Sequence, residues 1–229
     1  MRHILAYSSG MKTKLLHQLQ GELQALADPE RASGMRAYMR DQFDYLGIPT
    51  PARRAVLKPL LTRLKGSGHA CLIGLANELW ECPEREYQYA ALDLLSMHNK
   101  ELRIADIPAL LALVQRMSWW DTVDALASII GDVLCGQHDH MDEALKHENF
   151  WMRRIALLHQ LGWRGKTDHK RLYSYCLELA LEKEFFIQKA IGWALRDYAR
   201  HAPEEVRQFT QQNKSALSAL SYREANKHL

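Results

Sequence analysis

The sequence predicts an all-α fold, a curved solenoid of stacked helix pairs, and three observations favour it. Leu and Ala are abundant, whereas the 229 residues include only 12 Gly and 7 Pro. Apolar residues recur at helical spacing, and the alternation expected of strands is nowhere sustained. Short breakers divide the helical segments into pairs that recur roughly every 35 to 45 residues, as in helical-repeat proteins. At 47% hydrophobic residues, the chain suffices for one large domain over residues 1–229.

Proline and glycine set the predicted helix boundaries. Asp28-Pro29 ends a first amphipathic helix at 13–26 and opens the next one, because proline fits the first turn of a helix. Thr50 is predicted to cap a helix that starts at Pro51. Breakers at Pro83, Pro108, 65–68 and 162–165 delimit further predicted helices at 72–80, 86–97, 107–117, 122–135, 149–161, 172–181 and 185–200.

Cysteine usage and the N-terminus indicate the environment. No two cysteines have C-x-x-C spacing, so the sequence favours neither a zinc ribbon nor a disulfide framework, and we expect a reducing cytoplasm, in a bacterium the cytoplasm or nucleoid. The apolar run after Met1 is too short for a signal peptide or a membrane span. We therefore expect no membrane association. The cysteines are Cys71, Cys82, Cys135 and Cys176.

Charge alternates along the chain although the net charge is only +3. Residues 1–67 carry 11 Lys/Arg and 5 Asp/Glu, residues 68–150 carry 5 and 14, and residues 151–200 carry 10 and 5. Such a pattern has two interpretations. It reflects ordinary solvated faces, or it reflects two basic arms that meet a polyanion.

The most informative motif is residues 118–124, with the sequence SWWDTVD. On a helix, Trp120 and Asp124 lie one turn apart on the same face. An aromatic plate beside a carboxylate suits a cationic ligand, because the ring covers a flat group or a sugar and the carboxylate opposes positive charge. Helical neighbours diverge by about 100°, so Trp119 and Trp120 cannot both face one core. We predict that one of them faces something else.

The predicted helix 185–200 presents a second candidate surface. One of its faces alternates cations with aromatics, while the opposite face supplies the apolar residues of a core. We interpret the first face as a surface that contacts a nucleic acid backbone and carries a stacking residue; the alternative is that Trp193 packs on a neighbouring helix and the cations are solvated. The first face comprises Phe186, Lys189, Trp193, Arg196 and Arg200, and the second comprises Ile187, Ile191, Ala194, Leu195 and Tyr198.

Other polar groups carry weaker signals. Arg154 is predicted to lie at the edge of the helix 149–161, within reach of a phosphate. Arg53 and Arg54 begin a basic helix that is either a solvated face or a phosphate clamp. The run of His and Asp at 138–142 lacks the i, i+4 spacing of a firm metal site, so we interpret it as a solvated loop. No phosphate-binding loop or dinucleotide fingerprint is present, and no metal or cofactor is expected.

Several segments together resemble the AlkD-type DNA glycosylases. The strings SWWDxVD at 118–124 and FFIQKAIGW at 185–193 are the most specific. The matches run in order from about Tyr38 to the C-terminus, and residues 1–10 fall outside them as an expected extension. The remaining matches are Tyr38-Met39, FxxLGIxTPxRR at 43–54, ELW at 78–80, PERE at 83–86 and REAxKH at 223–228.

The resemblance implies a solenoid of HEAT-like repeats that hydrolyses the N-glycosidic bond of positively charged N3- and N7-alkylated purines in double-stranded DNA. It implies that the damaged base is not drawn into a pocket, in contrast to the usual base flipping. The residues that it assigns to catalysis are Trp120, Asp124 and Trp193. DNA contacts are expected from Tyr38, Arg53, Arg54, Arg154, Phe185, Phe186, Lys189 and Arg196, and a monomer suffices for the reaction.

The residues present agree with that chemistry. An alkylated purine already carries positive charge, so its departure needs no strong general acid, while Asp124 is placed to stabilise the oxocarbenium-like sugar and to orient water. We expect Lys189 to contact phosphate rather than to form a Schiff base. The resemblance also implies a monofunctional glycosylase that leaves an abasic site. Two alternatives stay open: a helical-repeat scaffold that binds protein, and a non-catalytic DNA-binding relative.

Overall fold

The computed structural model describes the backbone of residues 9–229 and the side chains of residues 13–229. This part of the chain consists of α-helices, short 3₁₀ turns and loops without a strand, which confirms the all-α prediction. The α-helices are α1 (Ser9–Gln24), α2 (Pro29–Tyr38), α3 (Thr50–Thr62), α4 (His69–Trp80), α5 (Arg85–Met97), α6 (Ile107–Val114), α7 (Trp120–Leu134), α8 (Met141–Leu145), α9 (Phe150–Leu158), α10 (His169–Glu178), α11 (Phe185–Ala199), α12 (Pro203–Gln212) and α13 (Ala219–Ala225).

Contacts divide the chain into two compact units, one ending at Ala109 and the other spanning Leu110–Leu229. In the first unit, α4 packs against α5, and α3 packs against both α1 and α5. In the second unit, α9 packs against α7, α8 and α11, while α11 also contacts α12 and α13. Consecutive helices therefore pack as pairs, α4 with α5 and α8 with α9. The single domain expected over residues 1–229 stays a prediction.

Helix starts follow the sequence signals closely. The Asp28 carboxylate accepts a hydrogen bond from the Arg31 amide at 3.0 Å, and Pro29 is the first residue of α2, as predicted. At α3 the prediction is wrong by one residue, because Pro49 occupies the cap position and Thr50 is already helical. Pro49 holds the extended backbone that a cap requires, with φ −61° and ψ 145°.

The apolar face predicted for the helix 185–200 forms part of the core. Ile187, Ile191 and Leu195 are fully enclosed, and the other two members of that face are also buried. This confirms the periodicity on α11 and fixes which side of the helix is left for other contacts.

Two glycines allow helices of the second unit to approach each other closely. A Cβ atom at Gly131 would lie 2.0 Å from the carbonyl oxygen of His159, just after α9. A Cβ atom at Gly192 would lie 2.4 Å from the Cβ of Glu224 on α13. Gly131 is two turns beyond Asp124 on the same face of α7, so the contact with α9 that glycine permits also brings Asp124 towards that helix.

Two sequence expectations concern the ends of the fold and its environment. Of the proposed extension at residues 1–10, only Ser9 and Gly10 belong to the described part, where they begin α1; the rest lies outside the described residues. Across residues 9–229, every helix is too short or too polar to meet the requirements of a membrane span.

Candidate functional site

The tryptophan pair stands at the start of α7. Trp119 occupies the cap position with an extended backbone, and Trp120 is the first helical residue. The ring of Trp119 packs against Trp151 and Phe186, with centroid distances of 5.9 and 5.4 Å. Trp119 therefore belongs to an aromatic cluster that joins α7, α9 and α11. Trp120, the next residue along the chain, is half-buried.

Asp124, one turn after Trp120, forms an ion pair with Arg154 of α9. Arg154 Nε donates to Asp124 Oδ1 at 2.7 Å, and Arg154 Nη2 donates to Asp124 Oδ2 at 2.9 Å. The remaining guanidinium nitrogen, Nη1, donates to the backbone carbonyl of Phe186 on α11. One arginine thus ties three helices together, and its planar shape holds both carboxylate oxygens in a fixed direction.

Burial gives this pair its electrostatic character. The Asp124 side chain is only 16% exposed and that of Arg154 only 5%. Burial raises the pKa of Asp124 above the usual aspartate value, while the hydrogen bonds and the charge of Arg154 oppose that rise. The pair is therefore a largely desolvated carboxylate with one cationic partner, a setting in which charge interactions are stronger than in water.

The structure corrects the expected position of Arg154. The sequence placed its guanidinium at a helix edge, free to reach a phosphate, but the residue is buried and its hydrogen bonds go to Asp124 and Phe186. The reason is that Asp124, 30 residues away in the chain, faces α9 and needs a cation when it is buried.

The α11 face of aromatics and cations is also more engaged than the sequence indicated. Phe186 packs on Trp151 at 4.9 Å and on Phe185 at 5.3 Å, so its ring is part of the aromatic cluster. Phe185 itself is 53% exposed. Trp193 is half-buried on the same helix, and its convergence with Trp120 stays a prediction.

Both predicted phosphate-binding cations of α11 have an acidic partner. Glu224 of α13 accepts from Lys189 Nζ at 3.1 Å and from Arg196 Nη1 at 2.7 Å. The alternative interpretation, in which these two cations are merely solvated, is therefore wrong, and their contact with phosphate stays a prediction. Sequence reasoning missed Glu224 as a site residue, although its signal was present as the single acid in the C-terminal string REAxKH.

The two arginines of α3 that were expected to contact DNA differ in exposure. Arg53 is 4% exposed, pairs with Asp93 at 3.2 Å and lies over the ring of Tyr89. Its expected place on a solvated or phosphate-binding face is wrong, because Asp93 and Tyr89 on α5 enclose it. Arg54 contacts the same carboxylate at 2.9 Å but keeps an exposed side chain. Tyr38, at the end of α2, is 74% exposed.

The polar run at 138–142 takes part in contacts within the protein. His138 Nδ1 lies 2.9 Å from His159 Nε2, and Asp142 accepts hydrogen bonds from Arg171 and Tyr175. Within the described residues, no three His, Cys, Asp or Glu side chains come together in a way that could hold a metal ion.

Comparisons with known proteins show the family of this chain and agree with its fold. Residues 19–229 match the family model for DNA alkylation repair enzymes. The chain is also similar to a solved structure described as a predicted DNA alkylation repair enzyme from Enterococcus faecalis, at 35% sequence identity and a TM-score of 0.82. That match covers 89% of this chain and 96% of the other. No protein with curated annotation matches.

Proposed function

Because this chain belongs to the DNA alkylation repair enzyme family, we propose that it is an alkylpurine DNA N-glycosylase. The proposed substrate is double-stranded DNA that contains positively charged N3- or N7-alkylated purines. The proposed reaction is hydrolysis of the bond between the damaged base and its sugar, with an abasic site as product and without capture of the base in a pocket.

One observation carries the proposal: the largely desolvated Asp124 carboxylate, one turn from Trp120, is held by two hydrogen bonds from Arg154. A structural ion pair alone does not require a tryptophan beside it at the start of the helix. A site for a cationic reaction centre requires both, because the ring covers the sugar and the carboxylate opposes the charge that develops on it.

The chemistry follows from the charge on the lesion. As the C1′–N bond breaks, its electron pair goes to the purine, which leaves as a neutral base, and positive charge appears on the deoxyribose. Asp124 stabilises that charge, and a water molecule that it orients adds to C1′ and releases a proton to the solvent. The carboxylate is already fixed by Arg154, so little reorganisation is needed when the charge develops.

The tryptophans and cations have supporting roles in this proposal. Trp120 and Trp193 lie against the sugar and keep bulk water from the reacting carbon. The exposed Arg54 and the partly exposed Lys189 contact phosphates and position the duplex. Lys189 is proposed to act as a cation and not as a nucleophile, so the DNA strand stays intact after base release.

The direct test is release of free 7-methylguanine from methylated duplex DNA, with protein-free DNA as the control for spontaneous loss. The proposal predicts protein-dependent release and an abasic site in an uncut strand. Strand cleavage by pure protein would contradict the monofunctional part of the proposal. Absence of release together with salt-dependent duplex binding would instead favour a non-catalytic DNA-binding protein, and absence of both would favour a protein-interaction scaffold.

A further inference from the structure

The carboxylate of Glu224 on the C-terminal helix α13 lies against the cationic face of α11. Glu224 is 15% exposed and pairs with two cations at once: Lys189 Nζ lies 3.1 Å from Oε1, and Arg196 Nη1 lies 2.7 Å from Oε2. Arg196 Nη1 also donates to the backbone carbonyl of Glu224 at 3.1 Å. Arg196 and Lys189 both hold the pKa of Glu224 below its usual range, so the carboxylate is charged at neutral pH.

The position of Glu224 is set by backbone packing. Gly192 of α11 lies directly beneath it, and a Cβ atom there would be 2.4 Å from the Cβ of Glu224 and 3.0 Å from the carbonyl of Ser221. The Ser221 hydroxyl donates to the carbonyl of Gln188 on α11 at 2.9 Å. Glu224 therefore holds a fixed place over α11.

The two cations differ in their freedom to leave the carboxylate. The Arg196 side chain is 20% exposed and makes two hydrogen bonds to Glu224. The Lys189 side chain is 38% exposed and has a single ion pair with it. A phosphate that approaches α11 must therefore compete with Glu224, and Lys189 is the cation that exchanges more readily.

We propose that Glu224 restrains the non-specific affinity of the α11 face for duplex DNA by competing with phosphate for Lys189. This inference rests on the proposed function, since it assigns DNA to that face. A repair enzyme must leave undamaged duplex quickly, and non-specific affinity comes almost entirely from cations that neutralise phosphates. Cancelling one cation weakens binding to every duplex, whereas contacts to the lesion are unaffected.

The test compares Glu224→Gln with wild type on undamaged duplex over a series of salt concentrations. Glutamine keeps the shape and an acceptor for Arg196 but no longer competes as an anion. We expect roughly two- to fivefold tighter binding at low salt, the size of an exposed ion pair. The slope of log K against log salt is expected to become steeper by up to about 0.9, the value for one full phosphate contact.

Two further variants test whether the effect of Glu224→Gln on DNA binding depends on Lys189. Glu204→Gln removes the same charge from an exposed pair with Arg207 on α12, and we expect it to leave the slope unchanged. In a Lys189→Met background, Glu224→Gln is also expected to leave the slope unchanged, because the released cation is absent. Thermal unfolding of each variant shows that the fold is intact.

Each outcome decides the inference. An unchanged or shallower slope for Glu224→Gln would overturn it, as would an equal effect of Glu204→Gln or a full effect in the Lys189→Met background. A merely structural role for Glu224 predicts weaker binding, which is the opposite sign. These measurements use undamaged DNA and no turnover, so a lack of base release by wild type would reject the proposed glycosylase and leave the result on Glu224 standing.

Discussion

Asp124 on α7 and Arg154 on α9 meet through two parallel hydrogen bonds of 2.7 and 2.9 Å, although they are 30 residues apart in the chain. The third arm of the guanidinium reaches the Phe186 carbonyl on α11. A carboxylate that is desolvated, ionic and fixed in direction is the kind of group that stabilises a cationic transition state.

Arg154→Lys tests whether this direction matters. A lysine ammonium keeps the charge but cannot span both carboxylate oxygens and the Phe186 carbonyl. We expect a stability loss of about 1–3 kcal/mol and a drop in base release of roughly tenfold or more, measured by denaturant unfolding and single-turnover kinetics.

Arg153→Lys is the matched control for that experiment. Arg153 is the neighbouring residue and forms a bidentate ion pair with Glu182, with hydrogen bonds of 2.6 and 2.8 Å. We expect a comparable effect on stability without the loss of activity. Equal activity losses in the two variants would show that the Asp124–Arg154 pair has no special role.

The pH dependence of base release reports on Asp124. Burial raises the pKa of this carboxyl above its ordinary value of 3.8, and the ionised form is the one proposed to act. The protein-dependent rate is therefore expected to fall on acidification, with a midpoint above pH 3.8. The rate of base release at each pH is corrected for spontaneous loss from protein-free DNA. If Asp124→Asn shows the same fall in rate on acidification, the group that titrates is not Asp124.

Much of the local structure could be predicted from the sequence, while the pairings between helices could not. The five-residue apolar face of α11 follows from 3.6-residue periodicity, and the Asp28 cap follows from the chemistry of helix ends. Such signals act over a few residues. They do not say which helices pack together, so Arg154 was expected at a helix edge although Asp124 encloses it.

The same reason explains the errors at other cations. Arg53 is neutralised by Asp93, 40 residues further on, and Lys189 is paired with Glu224 on α13, 35 residues further on. A basic helix face looks alike in the sequence whether its partner is water, phosphate or a carboxylate from elsewhere in the fold. Among the residues expected to contact DNA, Arg54, Tyr38 and Phe185 have exposed side chains, and Lys189 is partly exposed.

The stability of the second unit should depend on pH through His159. This ring is 1% exposed and hydrogen-bonded to the Ala156 carbonyl, and burial lowers its pKa from 6.5 to about 3. The native state therefore binds fewer protons than the unfolded chain below pH 6.5. The contribution of the neutral His159 ring to the free energy of unfolding is fully present above pH 6.5 and is lost as the pH falls towards 3.

The measurement is the free energy of unfolding of wild type and His159→Gln between pH 7 and pH 5. The difference between the two proteins is expected to shrink by up to about 1.4 kcal/mol for each pH unit below the unfolded pKa, because glutamine does not titrate. His228→Gln, at an exposed position, is the control. A constant difference between wild type and His159→Gln would mean that His159 titrates with the same pKa in the native and the unfolded state.

Gly192→Ala tests the close approach of α11 and α13. The added methyl group would meet Glu224 and the Ser221 backbone, so we expect a destabilisation of about 1–3 kcal/mol in denaturant unfolding. Gly34→Ala on α2 is the control, since no described atom lies within 4 Å of a Cβ there. That change is expected to stabilise by about 0.4–1 kcal/mol. Equal effects at the two positions would contradict the packing described for α13.

The central claim, that Asp124 carries base release, is tested by single-turnover kinetics on a duplex with one 7-methylguanine. Wild type is compared with Asp124→Asn and with Asp132→Asn, which makes the same substitution at an exposed position of α7. We predict that Asp124→Asn releases the base roughly 10²- to 10³-fold more slowly at saturating protein, while Asp132→Asn matches wild type. An Asp124→Asn protein that releases 7-methylguanine as fast as wild type would contradict the account.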